Sequence, residues 1–132
     1  MLLAYTFFFY RNFHTIQVSG PSMEPTFVNG DRLLASSAYW LVGEIKPNDI
    51  VVVESEEPGE DTIIKRVYKV EGETVDWLNV PNDYSLAQGE YVVPAGSIYI
   101  LGDNREVSED SRRFGAVPRD RILGKIVLKK WL

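Results

Sequence analysis

The sequence predicts a mostly β fold, with coiled antiparallel β-sheets forming a barrel-like domain, and three observations carry that expectation. From residue 18 onward, apolar runs are short and punctuated by turn signals. No long window sustains the 3.6-residue stripe of an amphipathic helix. Seven such runs fall within roughly a hundred residues, the rhythm of a coiled or barrel-like β domain.

Taken in order, the chain opens on MLLAYTFFFY, followed by Arg11 and Asn12. About 20 apolar residues are needed to cross a bilayer as a helix, so this run does not span by itself. It lacks the basic flank that precedes the apolar run of a secretory signal peptide. A truncated transmembrane anchor, an aromatic-rich interfacial segment and a core strand are the alternatives, and a membrane-proximal role for residues 1–17 is preferred. Residues 18–132 form the β domain. Its strands are expected at DRLLAS (31–36), DIVVVES (49–55), TIIKRVYKV (62–70), ETVDWLNV (73–80), GEYVVP (89–94), SIYILG (97–102) and ILGKIVLKKWL (122–132). The intervening EEPGED, VEGE, VPNDY, PAG and AVPRD supply the Gly, Pro, Asn and Asp that reversals require.

Composition narrows the function. At 132 residues, 45% hydrophobic and 12% aromatic, the chain sustains one ordered domain. A net charge of −5 argues against nucleic acid as a partner, because phosphate binding calls for a basic surface. With no cysteine, thiol nucleophiles, disulfides and thiolate metal sites are absent. The single histidine, His14, lies in the apolar N-terminal segment and reads as a packed or interfacial side chain, so a catalytic base, if there is one, is another residue.

Two residues stand out. Ser22 lies in GPSMEPTF, where Pro21 and Pro25 stiffen the backbone on both sides and Gly20 permits a tight bend; a pre-positioned nucleophile and an ordinary turn both fit. Period-two alternation through TIIKRVYKV sets Ile63, Lys65, Val67 and Lys69 on one face, with Ile64, Arg66, Tyr68 and Val70 on the other. If the first face is buried, desolvation lowers the Lys65 pKa and prepares a neutral amine to act as a base. The block GDNREVSEDSRR (102–113) interrupts the β rhythm with four acids and three bases, a balance that favours internal ion pairs.

Four stretches, in order, resemble the motifs of type I signal peptidases, the serine-lysine proteases that remove signal peptides: VSGPSMEPTF, KPNDIVVV, IIKRVYKVEGETV and GDNREVSEDSRRFGAVP. The last is the most specific, because self-cleaving repressors share a serine-methionine pair, a downstream lysine and a related fold. The resemblance implies that Ser22 attacks the scissile carbonyl while Lys65 takes its proton. It implies that Ser108 orients the lysine amine, that Asp103 pairs with Arg66, and that Asp110 pairs with Arg112. Met23 would line the substrate cleft, and the Ser22 N–H would serve the oxyanion hole. Gly20 stands where some members carry a serine whose hydroxyl completes that hole. Asn48 replaces a usual glycine before Asp49, and YKVEGE departs from the usual exit of the lysine strand. The short interval from Lys65 to Gly102 leaves no room for a large accessory domain, as in compact bacterial and organellar members.

The implied partners are preproteins with small residues before the cut, and the lipid bilayer; no metal or cofactor is called for. The implied location is the bacterial plasma membrane with the catalytic domain on the extracytoplasmic face, the mitochondrial inner membrane being the alternative. Two rival readings are a self-cleaving repressor-type protease and a noncatalytic assembly factor. Residues 1–21 lack the Ala-Gly or Cys-Gly bond that the first cuts, and the second would be expected to lose Ser22 or Lys65.

Overall fold

The structure, a computed structural model, describes residues 1–56 and 58–130. In chain order the elements are α1 (Leu2–Asn12), β1 (Phe13–Gln17), β2 (Arg32–Ser36), α2 (Tyr39–Val42), β3 (Ile50–Glu54), β4 (Thr62–Val70), β5 (Thr74–Val75), β6 (Tyr91–Val92), β7 (Ser97–Leu101), α3 (Ser111–Phe114), β8 (Val117–Pro118) and β9 (Ile122–Lys130). Among the described residues, seven strands form one curled antiparallel half-barrel in the order β1-β2-β9-β3-β4-β7-β8, and β5 and β6 form a separate hairpin. The mostly β expectation is met.

Three apolar clusters hold this arrangement. Val51, Val53, Val67, Ile98, Ile100 and Val117 pack on one face of the sheet with Ile45. Val18, Met23, Phe27 and Leu33 pin the loop after β1, with Ile50 and Ile64 of the sheet against them. Val75, Val93, Tyr99 and Leu101 seat the small hairpin. Fully burying such a side chain contributes about 1.5–3 kcal/mol, so the loop between β1 and β2 is anchored as firmly as a strand.

Several elements differ from expectation for identifiable reasons. Residues 13–17, grouped by sequence with the apolar segment, form edge strand β1 paired with β2 from Phe13–Ser36 to Gln17–Arg32. His14 is exposed on that strand rather than packed. Residues 2–12 form a helix with no buried residue. No helix among the described residues is long and apolar enough to cross a membrane. The strand expected over 73–80 stops at Val75, where the Asn79 N–H donates to the Asp76 carbonyl at 2.9 Å and closes a turn. AVPRD contains the two residues of β8, its Pro118 tolerated at the sheet margin because no ladder donor is needed there. Trp131 and Leu132 of the last expected strand lie outside the described residues.

The alternation along β4 holds through Val67 and then slips. Val67 pairs with Ile100 but Lys69 pairs with Tyr99, so Tyr68 is an extra residue in the ladder. The bulge puts Val70 against the same cluster as Val67 and sends Tyr68 to the cluster around Tyr99, which corrects the assignment of Lys69 and Val70 to faces.

Candidate active site

Ser22 is held by both neighbours in sequence and a distant loop. Gly20 adopts φ +86°, a conformation that favours glycine, and its N–H donates to Asn29 Oδ1 at 2.9 Å. Met23, 1% exposed, anchors the turn in the core while also lining the cleft. From the other side, the Asn104 N–H donates to the Ser22 carbonyl at 2.9 Å, and Asn104 Nδ2 donates to the Pro21 carbonyl at 3.1 Å. The Ser22 N–H has no hydrogen-bond partner among the described residues.

Lys65 extends from β4 opposite Val51 and is 4% exposed. Its Nζ lies 2.8 Å from Ser22 Oγ. Burial, above all, pushes the amine below the usual lysine range; Asp110, Glu60 and Glu109 oppose the shift and Arg112 reinforces it. Among the described residues no carboxylate comes within ion-pairing distance of Lys65. Lys125, the other buried lysine, also lies opposite Val51 but makes a salt bridge to Asp49 at 3.2 Å. Of these two buried lysines flanking Val51, only Lys125 has a carboxylate within ion-pairing distance among the described residues.

The supporting pairs expected from the sequence form. Arg66 Nε and Nη2 donate to the two oxygens of Asp103 at 2.9 and 2.8 Å, and Thr26 Oγ1 donates to the same carboxylate at 2.5 Å. Burial alone would raise Asp103, but these donors hold its carboxyl below the ordinary range. Arg66 also donates to the Asn48 carbonyl at 2.8 Å, and Asn48 itself has φ +78°, a left-handed conformation that asparagine tolerates better than most residues. Asp110 caps α3 and accepts from Arg112 Nε and Nη2, both at 2.9 Å, and from the Gly102 N–H at 2.8 Å. Its burial is likewise outweighed by these donors, so its carboxyl is held low.

Ser108 does not make the contact implied by the resemblance. Its hydroxyl donates to Asp110 Oδ2 at 2.8 Å, and no hydrogen bond joins it to Lys65 among the described residues. The acceptor this hydroxyl meets is the carboxylate two residues along, a charge-assisted bond.

Two contributors, Gly102 and Asn104, were not singled out by sequence. A Cβ on Gly102 would lie 2.0 Å from Ser108 Oγ and 2.8 Å from the Ser22 carbonyl oxygen. Only a hydrogen fits where these loops converge. The signal available in the sequence was the GDN opening of the charged block.

These walls enclose a cleft of about 760 Å³ lined by residues 17–23, residues 58–65 and the Val107, Glu109, Arg113 and Phe114 side. Strand β7 pairs with β4 only from Arg66 to Val70, so the edge of Thr62–Lys65 on that side carries no partner strand among the described residues. His14 is not in the cleft lining. Chemically, the arrangement offers a hydroxyl beside a desolvated amine, an unpaired N–H and a free strand edge.

A family model for signal peptidase, peptidase S26, matches residues 1–81 and 78–131. The chain is 38% identical over 120 residues to mitochondrial ATP-independent inner membrane protease subunit 1a of Arabidopsis thaliana, an alignment covering 89% of this chain and 70% of that protein. It is 30% identical over 146 residues to signal peptidase IB of Staphylococcus aureus, covering 86% and 75%. It is 35% identical over 116 residues to mitochondrial inner membrane protease subunit 1 of Homo sapiens, covering 88% and 68%. Among solved structures, a signal peptidase I from Enterococcus faecalis shares the fold, with TM-score 0.50 and 23% identity over 64% of this chain and 97% of that one.

Fold and matches together define a peptide-bond hydrolase built on a curled β half-barrel. The chain belongs to the signal peptidase family, peptidase S26. Its activity is that of a signal peptidase I, removing signal peptides from the preproteins that carry them, and self-cleavage is not favoured. Membrane association accompanies the family in both bacterial and mitochondrial relatives.

Proposed function

We propose that Ser22 and Lys65 perform this reaction as a nucleophile–base pair at a membrane surface. The observation that carries the proposal is the 2.8 Å separation of a serine hydroxyl from a buried, carboxylate-free lysine amine. With the amine neutral, Ser22 Oγ attacks the scissile carbonyl while its proton passes to Lys65 Nζ. The tetrahedral oxyanion faces the Ser22 N–H, a donor worth roughly 3 kcal/mol when aimed at developing charge. Collapse breaks the peptide bond, and Lys65 returns the proton to the departing amine. Water then attacks the ester, again delivering a proton to Lys65, and deacylation restores the hydroxyl.

The unpaired edge at Thr62–Lys65 supports addition of the signal-peptide segment as an extended strand, with small side chains directed at the sheet before the cut. Asp103, Arg66, Asp110 and Arg112 act as positioning residues, and Ser108 acts through Asp110. Met23 and Gly20 shape the pocket beside the nucleophile. The exposed apolar faces of α1 suit lipid contact, with the catalytic domain on the extracytoplasmic side of a bacterial plasma membrane or on a mitochondrial inner membrane.

Cleavage of a peptide containing Ala-x-Ala, assayed in detergent, tests the pair. Ser22→Ala and Lys65→Ala should each lower kcat/KM by on the order of 10⁴-fold or more with the fold intact. Substantial processing by either variant contradicts the assignment.

A further inference from the structure

A second cavity, of about 380 Å³, adjoins the cleft and shares Arg113 and Phe114 with it. Its floor is rigid. The Tyr84 and Tyr91 rings meet edge to face at 5.1 Å, and Tyr91 meets the buried Tyr99 at 5.6 Å. The Tyr84 hydroxyl donates to the Gly89 carbonyl at 2.9 Å, and the Asn82 N–H ties this segment to the Arg112 carbonyl at 2.6 Å. At the lip, exposed Asp83 has no hydrogen-bond partner among the described residues.

We infer that this cavity binds the preprotein segment that follows the scissile bond, with Phe114 as the ridge over which the chain passes. The inference rests on the proposed cleavage at Ser22. The free edge of β4 engages the segment before the cut, so the segment after it must leave by another route. The neighbouring cavity is contiguous with the cleft through two shared residues. Its lining also suits such a segment, because mature N-termini vary in sequence and tyrosine faces provide broad contact area without requiring one side chain. The unpaired Asp83 carboxylate adds a preference for a basic residue a few positions beyond the cut. Binding energy gathered there, away from the reacting atoms, raises the rate when it helps hold the scissile bond at Ser22.

The test uses the full chain in detergent and peptides sharing one Ala-x-Ala site. One series ends a single residue after the cut; another extends about six residues, roughly 20 Å when extended, with Lys or Glu in the distal half. Wild-type kcat/KM should be several-fold higher for the extended series and should favour Lys over Glu by about threefold, the size of an exposed ion pair. Asp83→Lys should reverse the Lys:Glu preference, an outcome that misfolding does not produce, and Phe114→Ala should remove most of the gain from extension. Equal rates on short and extended peptides with cleavage intact, or an unchanged Lys:Glu ratio in Asp83→Lys, overturns this inference alone. Wild-type enzyme that cuts none of the peptides overturns the cleavage proposal and this inference with it.

Discussion

At the scale of single residues, the proposed nucleophile–base pair makes the charge state of Lys65 decisive. Its amine must be neutral to accept a proton, and the neutral fraction grows as pH rises through the folded-state pKa. Burial sets that pKa below the ordinary lysine value near 10.4. The kcat/KM profile should therefore climb on its acidic side and level off before an ordinary lysine would have lost its proton. An inflection at or above the ordinary value contradicts the role. The same burial carries a stability consequence. A base whose pKa is lower in the folded state destabilises the fold at pH values below that pKa, and the penalty vanishes above the unfolded value. Lys65→Met should thus be inactive yet raise the thermal midpoint at neutral pH, by about 4 °C for each kcal/mol relieved. Gly102 sets the opposite case. Gly102→Ala forces Ser108 and the Ser22 backbone apart, and a loss of about 3 kcal/mol in urea unfolding, together with collapse of activity, is expected.

Among elements, α3 and β4 do most to shape the site. The Asp110 carboxylate unites the cap of α3, the end of β7 and Arg112 in one buried node. Asp110→Asn leaves the Arg112 guanidinium facing a neutral amide and should cost about 3 kcal/mol of stability. Ser108→Ala, which removes one of several donors to this carboxylate, should cost less, about 1.5 kcal/mol; comparable losses in denaturant unfolding for both variants contradict that hierarchy. The contribution of Asp110 is greatest above the unfolded carboxylate pKa and fades as pH falls through its lowered folded value. The sequence made much of this scale readable. Pairing of Asp103 with Arg66 and of Asp110 with Arg112 was implied by the family resemblance, and the ends of β4 matched the apolar run TIIKRVYKV. What escaped was geometric. A bulge at Tyr68 leaves no compositional mark, and whether Ser108 meets an amine or a carboxylate depends on loop curvature. The strand β1 was hidden because FHTIQ follows directly on an aromatic-rich helix, with no turn residue between them.

Over the whole molecule, α1 stands apart from the half-barrel. Its contacts are few: Phe8 with Phe13 and Trp40, Phe9 with Phe13, and Asn12, whose carbonyl accepts from the Ser37 N–H at 3.0 Å. Deleting residues 1–11 should lower global stability by no more than about 1 kcal/mol, yet weaken association with phospholipid vesicles, measured by sedimentation. Unchanged vesicle binding would remove α1 from the lipid-contacting surface. The fold class was legible because apolar runs and turn residues alternate across the entire domain, whereas the placement of α1 depends on contacts that begin only at its end.

The clasp of Asn104 on the backbone of Pro21 and Ser22 joins the first quarter of the chain to the last. A ribosome releases Ser22 and Lys65 before Asn104 emerges, and until the loop after β7 has docked the backbone of Pro21 and Ser22 lacks this clasp. If Ser22 and Lys65 act as proposed, full competence to cut is expected only once the last quarter of the chain has folded.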